Sequence, residues 1–247
     1  LAQLCVSANV QFMASIWQSD AIEYFDRYIN IHKVGSGDLT NVSLLKKLSE
    51  TGKPIILSTA MAELSEVRAT VDFITQYCPS YKKRGMLGIL QCVAMYGDPK
   101  NSYANLNVLD SFKHEFPNEI IGYSDHTTGT LACQVAVAKG ARILEVHFTD
   151  DKTRDFRDHH ISKNVLDIRN LRETCHSILE ILGNKEKLPV ADIETKHRIQ
   201  EFRRGCFLRE NQISGTVITE DMLTTLRPCI GIPANKIIDL IGKKLKR

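Results

Sequence analysis

Short apolar runs, each closing on small polar residues and each followed by a helix-patterned segment, recur at intervals of roughly 20–35 residues, the rhythm of parallel βαβ units. The runs lie at residues 10–16 (V-Q-F-M-A-S-I), 30–34, 54–58 (P-I-I-L-S), 87–92, 120–126 and 143–147. Between them the pattern predicts helices over residues 19–28, from a cap at Thr40 or Asn41 to Glu50, and over 63–77, 105–116 and 130–138, with a last one over 165–182. Gly52 and Gly140 stand just past helix ends, and Pro117 stops another. Val67, Val71 and Ile74 form an ordinary core stripe.

The class expected is α/β. A (β/α)8 barrel needs eight units in about 250 residues, whereas about six fit before Gly183. Either the sheet is open, in three layers, or two further units precede Leu1. Leu1 opens inside a helix-like stretch with neither a methionine nor a cap, which favours a truncated barrel. The expected organisation is a partial barrel over residues 1–183, a polar linker over 184–200 and a small second domain over 201–247. In that last domain glycines and prolines multiply, and T-V-I-T (216–219) reads as a strand.

Composition removes whole classes of function. Net charge is +3, with 43% hydrophobic and 25% charged residues, so no electrostatic case exists for nucleic acid. No run is long enough to span a membrane. Seven scattered cysteines without a C-x-x-C pair read as reduced thiols of a cytoplasmic protein.

In parallel α/β folds ligands bind at the carboxyl ends of strands. There the chain places His126 and His147, at equivalent ends of adjacent strands, beside Ser124, Asp125, Thr127, Glu145 and Thr149. Two imidazoles on neighbouring strands can share a metal; the alternative is a pair of hydrogen-bonded structural histidines. Strand alternation aims Glu145 the same way as His147, as a third ligand or as an acceptor behind one. Lys33, in a buried-type strand, reads as a grip on phosphate or carboxylate, or else as an edge lysine with its head in water. Ser36, Ser58 and Ser124, all at strand ends, strengthen the anion reading. Asp158 and its neighbours His159 and His160 read as solvated loop residues, and Arg227 carries no signature of its own.

The motifs K-V-G-S-G-D (33–38), K-P-I-I-L-S-T-A-M (53–61), L-Q-C (90–92) with Tyr96, G-Y-S-D-H-T (122–127), I-L-E-V-H-F-T (143–149) and D-H-x-x-S (158–162) stand in this order. Together with G-T-V-I-T-E-D-M-L, R-P and D-L-I-G-K-K near the end, they resemble the N-acetylneuraminate (sialic acid) synthase family with its antifreeze-like (SAF) domain. The resemblance implies a transferase that condenses phosphoenolpyruvate with N-acetylmannosamine or a related acetamido sugar. It implies a divalent metal on His126 and His147, with manganese first and magnesium or cobalt as substitutes. It implies phosphoenolpyruvate binding by Lys33, Ser36, Ser58 and Ser124, and an acid near the metal at Glu145. Tyr96 and Asp158 match contacts to sugar hydroxyls, and Asp38 stands where a glutamate is common. Arg227 matches an arginine donated across a domain-swapped homodimer. D-H-x-x-S suits the neuraminate and legionaminate branches. Three departures accompany these matches: Val93 and Ala94 replace polar residues of the phosphate site, Ala60 replaces a glycine, and Gly97 replaces a proline. The family's first two strands and the end of its SAF domain have no counterpart here.

Overall fold

A computed structural model describes residues 1–95 and 99–246. The chain divides into two compact units, Leu1–Gly183 and Asn184–Arg247.

In the first unit α1 (Ala2–Ser7) and α2 (Ile22–Asp26) precede five βα steps. The strands are β1 (His32–Val34), β2 (Ile55–Ser58), β3 (Leu87–Cys92), β4 (Ile120–Asp125) and β5 (Ile143–Val146). They pair in parallel, in the order β1-β2-β3-β4-β5. The helices are α3 (Val42–Glu50), α4 (Leu64–Tyr77), α5 (Val108–Glu115), α6 (Leu131–Ala138) and α7 (Val165–Leu182).

Their ends are fixed by local chemistry. Asn41 Oδ1 accepts from the Leu44 amide at 3.2 Å and starts α3. Glu63 and Glu66 close a reciprocal capping box on α4, and Asn164 and Asp167 do the same on α7. The strands read as continuous apolar runs because helices cover one face and the strand ring encloses the other. Ile55, Leu57, Leu87, Ile89 and Ile121 are buried against Leu45, Leu48, Val67 and Ile74.

The sheet is curved rather than flat. Ser58 on β2 donates to Glu145 Oε2 on β5 at 3.2 Å. Three strand spacings in a flat sheet amount to roughly 14 Å, beyond the reach of a serine and a glutamate. The five strands therefore form half of a TIM-like barrel.

The sequence suggests six strands in this unit, where the sheet has five among the described residues. Residues 10–16 run extended, with Phe12 and Ala14 half-buried, Ile16 buried, and Val10 and Met13 exposed. Yet one parallel bridge, Ser15 to Lys33, is all they make with the sheet. Their neighbour β1 is three residues long, too short to template a ladder.

The second unit contains α8 (Lys196–Phe202), β6 (Gly205–Leu208) and β7 (Leu223–Leu226), the last two antiparallel. α8, capped by Thr195, occupies part of the stretch read as linker. T-V-I-T is not a strand. It makes an isolated bridge between Val217 and Lys244, because its partner segment arrives straight from a tight turn with Gly242 at φ +80. Among the described residues no helix is long and apolar enough to cross a membrane. All seven cysteines are free thiols, and Cys92 and Cys133 are buried.

Candidate active site

The carboxyl ends of the five strands open into a cavity of about 840 Å³. Lys33, Ser58, Ser124, Glu145, His126 and His147 line it, and Ser36 does as well. The strand-end rule and the alternation of side chains thus bring these seven predicted positions to one place.

One wall carries charge. Lys33 is buried at 7% exposure, which removes the edge-lysine reading. Its ammonium donates to Ser58 Oγ at 2.8 Å and to the Val34 carbonyl at 3.1 Å. Glu145 Oε1 lies 3.4 Å from the same nitrogen. A lysine held below a cavity floor, with a hydroxyl and a carboxylate as partners, is a cation prepared for an anion. Ser36 Oγ accepts from the Ala60 amide at 2.9 Å, tying the turn after β1 to the turn after β2. Ala60 is buried, and Met61 beyond it sits at φ +65 with its side chain exposed at the cavity rim.

The opposite wall carries the histidines. His126 and His147 each follow their strand by one residue, and their rings meet edge to face with centroids 4.9 Å apart. Burial, and then the facing His147, push His126 below the ordinary imidazole range. It is therefore neutral at pH 7, the form that donates a lone pair to a metal. Cys92 Sγ lies 3.8 Å from His126 Nδ1, and burial pushes that thiol's pKa up. Among the described residues no group of three or more His, Cys, Asp or Glu side chains is arranged to hold a metal. The His126 and His147 imidazoles, 4.9 Å apart between centroids, are the donors the cavity offers, and a metal held by them would take water or substrate at its other positions. Glu145 engages Lys33 and Ser58 rather than standing as a third ligand.

Other predicted positions lie apart. Asp38 accepts from Asn41 Nδ2 at 3.2 Å, in the turn leading to α3. Asp158 sits at φ +69 in the loop after β5, where its carbonyl accepts from Ser162 Oγ at 2.6 Å. Neither lines the cavity. Tyr96 and Gly97 fall outside the described residues. Arg227 is exposed in the second unit. Val93 and Ala94 do line the cavity and bring no polar side chain to it.

Sequence reasoning missed what holds the histidine turn. Asp125 is fully buried, and its Oδ1 accepts from Tyr123 OH (3.0 Å), the Thr127 amide (2.9 Å) and Thr127 Oγ1 (2.7 Å). Its Oδ2 meets Lys163 Nζ at 2.9 Å and accepts from Cys133 Sγ at 3.4 Å. Burial pushes this carboxyl up, but the Lys163 and Thr127 contacts outweigh it and leave it below its usual value. The signal was Asp125 itself, a carboxylate at the end of a buried strand that had to find a cation. Trp17, exposed at the cavity rim, was missed as well.

Comparison with known proteins now places the chain. The NeuB family matches residues 1–187. The chain belongs to the NeuB family. Among this NeuB chain's relatives, the N,N'-diacetyllegionaminic acid synthase of Legionella pneumophila is 32% identical over 246 residues, covering 99% of this chain and 68% of the relative. The human N-acetylneuraminate-9-phosphate synthase is 29% identical over 250 residues, covering 99% and 66%. A crystal structure of the N-acetylneuraminic acid (sialic acid) synthetase of Leptospira borgpetersenii, in complex with citrate, superposes with a TM-score of 0.71 at 28% identity, over 79% of this chain and 67% of that one. The NeuB chain thus spans about two thirds of the length of these relatives.

Proposed function

We propose that this chain carries the active-site face of a nonulosonic acid synthase, which joins phosphoenolpyruvate to N-acetylmannosamine or a related acetamido sugar and releases phosphate. The supporting observation is that buried Lys33 and Ser58 meet half-buried Glu145 on one wall of a cavity at the strand ends, while the imidazoles of His126 and His147 line the other. The family and the names of its relatives point the same way.

In this reading Lys33, Ser58, Ser36 and Ser124 bind the anionic substrate, the lysine supplying charge and the hydroxyls orientation. Carbon 3 of phosphoenolpyruvate bonds to the sugar's aldehyde carbon, water adds at carbon 2, and phosphate departs to leave the keto acid. Glu145, beside Lys33 and Ser58, sits where it can take a proton from the incoming water. His126 and His147 would hold a divalent metal, manganese by preference, which as a Lewis acid polarises the aldehyde oxygen. Tyr96 is assigned to the sugar hydroxyls and Arg227 to the acetamido group across a homodimer; Asp158, matched to the same hydroxyls by its motif, does not line the cavity and takes no such contact. Asp38 is assigned to shaping the turn below Ser36.

The test is phosphate release by the protein from phosphoenolpyruvate, N-acetylmannosamine and manganese. Lys33→Met is expected to weaken phosphoenolpyruvate binding at least tenfold, and His126→Ala or His147→Ala to abolish metal-dependent turnover. No phosphate with any acetamido sugar at saturating metal refutes the reading. Val93 and Ala94 at the cavity wall favour one second reading, a binding protein without turnover. Titration calorimetry showing ligand uptake with no product would establish that reading instead.

A further inference from the structure

Lys163 is buried to 0% exposure, three residues past the loop's Asp-His-His, and no step of the proposed chemistry uses it. Its ammonium has three donors and all are spent, on Asp125 Oδ2 (2.9 Å), the Thr127 carbonyl (2.7 Å) and the Ile161 carbonyl (2.9 Å). Two of those partners flank His126 on either side in the chain. Asp125, so held, accepts two hydrogen bonds from Thr127 on a single oxygen, which closes the turn around His126.

The main chain of the same residue grips the other histidine. The Lys163 amide donates to the His147 carbonyl at 2.8 Å, and the Lys163 carbonyl accepts from the Thr149 amide at 3.0 Å. This is a one-residue parallel bridge to Phe148 that prolongs β5 past its end. One residue is therefore bonded by its side chain to the turn bearing His126 and by its backbone to the segment bearing His147. β4 and β5 stop pairing at Asp125 and Val146, one residue before either histidine, so the sheet ladder does not extend to the rings.

We propose that Lys163, through Asp125, is the positioning residue that sets the spacing of the His126 and His147 imidazoles, and so the metal affinity of the site. This rests on the reading of the two histidines as metal ligands. Partners behind a metal ligand typically tune affinity 10- to 100-fold, and a clamp shared by both ligands acts on the two at once. A purely structural role predicts something else: a lower melting temperature with unchanged affinity in the folded protein.

The experiment measures manganese affinity by electron paramagnetic resonance of the free ion, at temperatures where circular dichroism reports the folded state. Lys163→Met is expected to weaken binding about 10- to 100-fold. Removing one partner of a buried ion pair also destabilises strongly, so Thr127→Val, which deletes a single hydrogen bond to Asp125, serves as the second variant. Its expected loss is at least threefold, and it decides the matter should Lys163→Met fail to fold. Ile74→Val, on the buried face of α4, is the control for stability alone and is expected to melt earlier with wild-type affinity. Folded Thr127→Val or Lys163→Met binding manganese as tightly as the wild type overturns the inference. A wild type that binds no manganese overturns the metal reading itself, and the inference with it.

Discussion

Gly122 offers the sharpest quantitative test of how the site is built. It lies on β4 directly opposite Ile143 of β5. A Cβ placed there would stand 2.5 Å from Leu90 Cδ2, 2.6 Å from the Ile143 carbonyl oxygen and 2.8 Å from Ile143 Cβ. Leucine can swing its terminal methyl aside, but the carbonyl and the Cβ belong to the neighbouring strand. To restore even 3.0 Å, a limit real Cβ atoms respect, β5 must retreat by 0.4 Å (3.0 − 2.6). That lengthens strand-pair hydrogen bonds from about 2.9 Å to about 3.3 Å, past their favourable range. Overpacking of this kind typically costs about 1–3 kcal/mol, and a clash with backbone belongs at the upper end. Gly122→Ala is thus expected to lose about 3 kcal/mol in urea unfolding, and to melt roughly 6–12 °C lower for a unit of this size. Spreading β4 from β5 also separates His126 from His147, so manganese affinity should fall along with stability. A loss below about 1 kcal/mol would refute the reasoning, because the strands would then have to yield without strain.

Two further outcomes follow from groups outside the cavity. Asn41→Ala removes the cap of α3 and the partner of Asp38, and should cost about 1 kcal/mol in denaturant unfolding; no measurable change would mean that water caps the helix as well. His32 is 1% exposed, with Nε2 3.0 Å from Asp26 Oδ1 and Nδ1 without a partner. Burial lowers its pKa despite the pull of Asp26. The folded state therefore binds this proton less readily than the unfolded chain. The stability it confers is present above the ordinary imidazole value of about 6.5 and is lost as pH falls through the lower folded value. Unfolding measured from pH 7.5 downward should show this slope in the wild type and lose it in His32→Gln, and a gain of stability on acidification would contradict the sign.

Where the sequence could be read and where it could not follows from the range of the interactions involved. β3, α4 and α7 have the bounds that their apolar periodicity and capping residues suggest, since those signals lie within a few residues of the ends they define. The convergence of Lys33, Ser58, Ser124 and the two histidines was legible because strand ends in a parallel sheet share one face. Residues 10–16 and T-V-I-T carry strand patterning yet make isolated bridges, because pairing depends on the length and approach of a distant partner. The Asp125–Lys163 pair joins residues 38 positions apart (163 − 125), with α6 and β5 between them, and neither residue's neighbours hint at the other. Asp38 and Asp158 carried motif matches, and it took the backbone of their turns to aim them elsewhere.

The order of the strands bears on the kinetics of the site. Each strand pairs with its successor in the chain, so the sheet can grow one βα step at a time with modest loop-closure entropy. The contact that completes the cavity wall, Ser58 to Glu145, spans 87 residues and cannot form until β5 has docked. Anion wall and histidine wall thus come into register at the last step of assembly. The same contact is the first lost when β5 and α7 open locally, so an anion held there, as the proposed function has it, would be released by fraying of the last βα step rather than by global unfolding.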